Sequence, residues 1–166
     1  ASDGSIWQID DEALTQLRAG DGRPLAGIAL TPSGDHAAAV GADGLVLVSH
    51  DEGNTWDIAP VATARDLHAV RIEAHGDLVV AVGDAGATVR IDADGATVEE
   101  HGTPTLRALH LRDDGGGQAV GDSGTVLFTD DSAQSWTRVD VGTTRTLRGV
   151  DDFHFGPHLC ERNGRL

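Results

Sequence analysis

A chain of 166 residues can bury one sizeable core, and 39% hydrophobic residues is the content of an ordinary folded domain. Its 27 acidic residues against 12 basic ones leave a net charge of −15, which argues against binding to phosphate backbones. No apolar run approaches the length of a membrane span. ASDGSIWQID at the N-terminus lacks the basic and apolar regions of a signal peptide, and the one cysteine, Cys160, permits neither an intramolecular disulfide nor a cysteine-rich metal site.

All 12 basic residues are arginine; aspartates number 21, glutamates six, and there is no lysine. Such a surface repels itself in dilute solution and is relieved by salt, which shortens the Debye length to about 3 Å at 1 M. This composition is that of a salt-loaded cytoplasm, although a GC-rich genome also favours arginine over lysine. A salt-adapted cytoplasmic protein is the expectation, or a secreted one if a signal peptide has been removed.

In chain order, the first candidate element is DEALTQLRAG, which by local propensity alone reads as a helix. However, DGSIWQIDDEALTQL lies 40 residues ahead of DGLVLVSHDEGNTWD and aligns with it, which assigns residues 1–20 to two strands. Next come PLAGIAL at 24–30 and AVGADGLVLVSHDEGNTW at 39–56. They are followed by DLHAVRI at 66–72 with AVGDAGATVRIDADGATV at 81–98, and then TLRALHL at 105–111 with AVGDSGTVLFTDDSAQSW at 119–136. The first and third of the longer windows share eight identical positions of 18. Finally, TLRGVDD at 146–152 repeats the short segment once more.

Each period of about 40 residues reads as four short strands punctuated by glycine turns, the pattern of a four-stranded propeller blade. The expected fold is therefore all-β: a single β-propeller domain over 1–166, with blades at about 24–62, 63–102 and 103–142. Residues 143–166 and 1–20 would supply the two halves of a closing fourth blade, so that no sheet edge is left open. A monomeric ring of four blades and a homodimeric ring of eight, with exchanged termini, both satisfy this pattern.

Ser49, Asp51, Gly53, Thr55 and Trp56 form the pattern Ser/Thr-x-Asp-x-Gly-x-Thr-Trp. Thr129, Asp131, Ser135 and Trp136 repeat it, with Ala133 in place of the glycine. Weaker copies keep Gly95 and Thr97, or Asp11 and Thr15. These stretches resemble the Asp-box, or BNR repeat, of sialidases, sortilin-like receptors and the photosystem II stability/assembly-factor-like propellers. The VGxxG turn ahead of each box is most similar to the last group. The resemblance covers essentially the whole chain and implies a propeller. The recurrence of the box in successive blades marks it as architectural: Asp51 accepts backbone N–H bonds, Gly53 supplies a positive φ, and Trp56 plugs the hairpin.

Of the activities that the resemblance raises, sialidase chemistry is excluded, because its nucleophile is a tyrosine and the chain has none. VGDSGT at 120–125 looks like a serine-protease motif, but Ser123 occupies a turn position that varies between repeats. Asp92 and Asp94 fail the EF-hand spacing. His154 and His158, with Asp152, are weak candidates for a metal or for a hydrolase or lyase site; Gly156 and Pro157 between the histidines rule out a shared helical face. The remaining histidines, His36, His50, His68, His75, His101 and His110, are scattered over different repeat positions.

One position just inside the first strand of each repeat carries, in order, Ala26, His68, Arg107 and Arg148, with Arg65 and Arg145 shortly before. In a propeller these converge at one mouth of the channel. Such a cluster suits a carboxylate or other anion, since guanidinium presents a planar fork of donors. The assembly-factor-like propellers that the chain resembles use arginine-rich surfaces in partner contacts. Alternatively, the arginines pair with neighbouring aspartates and hold the blades together. The expectation is a non-catalytic binding or assembly module, without cofactor or membrane insertion, that takes a protein segment or small anionic ligand. A purely structural propeller fragment is the further alternative.

Overall fold

The computed structural model describes residues 2–9 and 13–151. Two strands open the chain, β1 (Ile6–Ile9) and β2 (Leu14–Arg18), paired antiparallel with Trp7 opposite Gln16. The helix that local propensity allows there does not form. Three meanders of four antiparallel strands follow. The first contains β3 (Leu25–Leu30), β4 (Ala37–Gly41), β5 (Val46–Ser49) and β6 (Asp57–Ile58). β7 (Leu67–Ile72), β8 (Val79–Gly83), β9 (Ala87–Asp92) and β10 (Gly95–Glu100) make the second. The third comprises β11 (Leu106–Leu111), β12 (Gly117–Gly121), β13 (Val126–Thr129) and β14 (Thr137–Val139). The chain is an all-β propeller.

The reason lies in the second strand of each blade. Ala37–Gly41 and Val79–Gly83 are buried along their whole length, so they carry only small or β-branched apolar residues. Each is covered on one face by the first strand of the following blade. Ala38 and Val40 pack with Val70 and Leu67; Val80 and Val82 pack with Leu109 and Leu106. The closing glycine of the AVG triplet is required by proximity, because a Cβ on Gly83 would overlap the carbonyl oxygen of Asp66. The next turn places Asp43, Ala85 or Ser123 in the left-handed region, followed by a left-handed glycine. Ser123 thus shares its backbone role with an alanine and an aspartate, as expected of a turn residue.

The repeated turns at 49–56 and 129–136 staple the other end of the blade. Asp51 Oδ1 accepts the Thr55 N–H at 2.8 Å and the Ser49 hydroxyl at 2.9 Å, while Oδ2 accepts the Thr55 hydroxyl at 2.7 Å. Asp131 repeats the arrangement with Ser135 and Thr129. These donors hold the carboxyl of Asp51 below its usual range, chiefly through the Thr55 N–H, and that of Asp131 at about 2, chiefly through the Ser135 hydroxyl. Trp56 folds back against Ile6, Ala39, Leu45 and Leu47 and donates its indole N–H to the Gly53 carbonyl at 2.9 Å.

At the chain's end, residues 143–151 contain no strand, although TLRGVDD repeats the first-strand pattern. A strand needs a ladder partner, and the partner expected here falls at residues beyond 151, outside the described ones. Asp152, His154 and His158 also lie outside them, as does Asp11. What the described segment does form is the anchorage to the third blade: Gly124 N–H donates to the Arg145 carbonyl and Leu147 N–H to the Gly121 carbonyl, both at 2.9 Å. Among the described residues, no helix is long and apolar enough to cross a membrane, and no group of three or more His, Cys, Asp or Glu side chains is placed to hold a metal ion.

Candidate functional site at the turn ends of the blades

The turns between second and third strands, and the entries to first strands, lie at the same end of each blade. Asp84 N–H, for example, donates to the Asp66 carbonyl at 2.9 Å. This end gathers the residues singled out from the repeat. His68 Nε2 lies 2.8 Å from Asp84 Oδ1, and that same oxygen accepts the hydroxyl of Thr105 from the next blade at 3.0 Å. One repeat later, Arg107 presents Nε and Nη2 to the two oxygens of Asp122, both at 2.7 Å. Thr146 then closes on Asp122 Oδ1 at 3.0 Å. The unit is a histidine or arginine on the first strand, an aspartate in the turn, and a threonine crossing from the following repeat.

The cluster expected from the repeat is therefore an arc in which His68 and Arg107 each contact a turn aspartate. Bidentate contact with Arg107 holds the Asp122 carboxyl at about 2, and the His68 contact lowers that of Asp84. Arg107 also feels Asp84, and Asp122 feels Arg148, so the units communicate electrostatically along the arc. Arg65 is drawn aside: its Nε and Nη2 bond the two carboxylate oxygens of Glu100 at 3.0 and 3.1 Å. Arg145 and Arg148 differ. Both are exposed, and among the described residues neither guanidinium has a hydrogen-bond or ion-pair partner.

Of the five residues read from the repeat, His68, Arg107 and Arg65 contact carboxylates directly, while Arg145 and Arg148 are exposed and Arg148 acts on Asp122 only through space. The turn aspartates were the part not singled out from sequence. The signal is there: the AVGD tetrapeptides at 81–84 and 119–122 occur where the first strand carries His68 or Arg107. The first blade, with Ala26, has Ala42 at the matching turn position.

No protein-family model matches the sequence, and no curated protein matches it. Solved structures do. The chain is similar to YCF48 bound to D1 peptide, with 15% identity and a TM-score of 0.61 over 74% of this chain and 41% of that one. It is also similar to YCF48 from Cyanidioschyzon merolae, at 19% identity and a TM-score of 0.56 over 73% of this chain and 41% of that one. RRP9 WD40 repeats match with 10% identity and a TM-score of 0.68 over 80% of this chain. The chain spans about two fifths of the length of these proteins, 41 to 43%. At such identities the likeness establishes the propeller fold.

Proposed function

We propose that this protein is a non-catalytic protein-binding or assembly module that receives a carboxylate-bearing segment of a partner at the turn ends of its blades. The observation that carries the reading is the exposed pair Arg145 and Arg148 on the segment anchored to the Gly121–Gly124 turn, with Arg148 near enough to lower the Asp122 carboxyl while Arg107 makes the bidentate contact. An incoming carboxylate meets there a planar donor fork whose neighbour is already fixed in place. His68, on Asp84, lies along the same end of the blades, while Arg65 is occupied by Glu100. The likeness to YCF48, which has been solved with a D1 peptide, supports a peptide-binding role for this fold. An acidic, lysine-free surface that favours operation in high salt belongs to the same reading, since salt screens the repulsion an acidic segment meets on approach.

The test is fluorescence anisotropy with acidic peptides ending in a free carboxylate, in molar KCl, for wild type and Arg145→Ala/Arg148→Ala. Binding should be lost in the double variant while its unfolding midpoint is unchanged. Equal binding by both would remove the site from this end of the blades.

A second reading is architectural, and a specific observation favours it: Thr105 and Thr146 cross from following blades onto Asp84 and Asp122. Such units hold adjacent blades in register whether or not anything binds. A drop in the unfolding midpoint for Asp122→Asn, together with no peptide binding by wild type, is the result that selects it.

A further inference from the structure

We infer that His36 and His50 form a binding site for a divalent transition-metal ion at the hairpin end of the first blade, opposite the end that carries Asp84 and Asp122. The two residues occupy unrelated repeat positions and are 14 apart in sequence, yet their Nδ1 atoms lie 3.1 Å apart. The rings meet edge to face, with centroids 5.2 Å apart and planes inclined by 74°. In the Nε2–H tautomer of each ring, both Nδ1 atoms carry a lone pair and lie close enough to share one ion. At metal–nitrogen distances of about 2.0–2.1 Å, a 3.1 Å separation corresponds to a ligand–metal–ligand angle of about 100°, between octahedral and tetrahedral values.

Both ligands are set on stiff backbone. Thr31 and His36 close the β3–β4 hairpin through the Thr31 N–H to the His36 carbonyl at 3.0 Å, and through the His36 N–H to the Thr31 hydroxyl at 3.2 Å. His50 lies between Ser49 and Asp51 of the box, whose hydrogen bonds fix its backbone. The two segments are tied together, since Glu52 N–H donates to the Asp35 carbonyl at 3.1 Å. Gly76, on the β7–β8 hairpin of the second blade, leaves room for the His36 ring: a Cβ there would stand 2.5 Å from His36 Cδ2. Because the site has two imidazoles and no third His, Cys, Asp or Glu grouped with them among the described residues, it suits nitrogen-seeking ions such as Zn²⁺, Ni²⁺ or Cu²⁺, with water completing the shell. It does not suit Mg²⁺ or Ca²⁺, which require oxygen ligands.

Titration of the full chain with Zn²⁺ tests this, in excess Mg²⁺ so that the many carboxylates are occupied by the harder ion. Wild type should bind one Zn²⁺, and His36→Ala and His50→Ala should each weaken binding at least tenfold. Zinc should raise the unfolding midpoint of wild type and leave that of His50→Ala unmoved, as linkage requires for an ion held only by the folded state. Long-range ¹⁵N correlation of the histidine rings supplies a readout on unaltered protein: the Nδ1 signals of His36 and His50 should shift together while those of His101, engaged with Thr88 at 3.0 Å, stay in place. Binding that survives both substitutions, or equal shifts across all histidines, overturns the inference.

Discussion

The first blade and the third are built from the same repeat, yet their first strands live in different surroundings. Leu109 of β11 is 1% exposed, as is Val70 of β7, whereas Ile28 of β3 is 54% exposed. Trp7 of β1 is 47% exposed, against 0% and 1% for Leu47 and Leu127 at the matching positions of β5 and β13. Val70 and Leu109 are covered by the second strand of the preceding blade; among the described residues, β3 has no such strand before it. The charge pattern changes in the same place, because Ala26 and Ala42 stand in the first blade where Arg107 and Asp122 stand in the third. A first strand is thus buried by the second strand of the preceding blade, and the unit of His or Arg, turn aspartate and threonine occurs in the second and third blades and not in the first.

The largest test of that contrast is Leu109→Ala, which should cost about 2–5 kcal/mol in urea unfolding, with Val70→Ala near 2 kcal/mol. Ile28→Ala should cost below about 1 kcal/mol. Similar losses at Ile28 and Leu109 would show that both strands are covered alike. The two boxes offer a smaller effect. Gly53→Ala places a Cβ at φ +84°, 3.3 Å from Leu17 Cδ1, and should destabilise by about 1–2 kcal/mol. Ala133 already tolerates φ +61°, so Ala133→Gly should stabilise by less than about 1 kcal/mol.

Acid stability sharpens the charge half of the comparison. Asp122 and Asp131 lie at about 2 in the folded protein, and Asp84 and Asp51 are also lowered. A depressed carboxyl stabilises the fold above its unfolded value and loses that contribution as pH falls through the folded one. Unfolding midpoints should therefore fall between pH 4 and about 2, the range bounded by the ordinary aspartate value of 3.8 and the shifted one. Asp122→Asn should flatten part of that slope, visible in a pH series of thermal melts. Thr146→Val should have the smallest effect, because it removes one of the contacts to Asp122 and leaves the Arg107 pair.

By itself the sequence determined the period, the order of strands and the stapled hairpins. Glycine spacing, small-residue second strands and the Asp51 and Asp131 turns are local requirements of the backbone, so they appear as local patterns. It also aligned His68 with Arg107, since residues at one repeat position occupy equivalent places in successive blades. Only the tertiary structure decided what those two side chains contact. Asp84 and Asp122 lie 16 and 15 residues from His68 and Arg107, and Thr105 and Thr146 arrive from other blades. Pairing between side chains of different strands depends on register and blade stacking, which no local pattern records. For the same reason His36 and His50, scattered over the repeat in sequence, become neighbours only once two hairpins fold side by side.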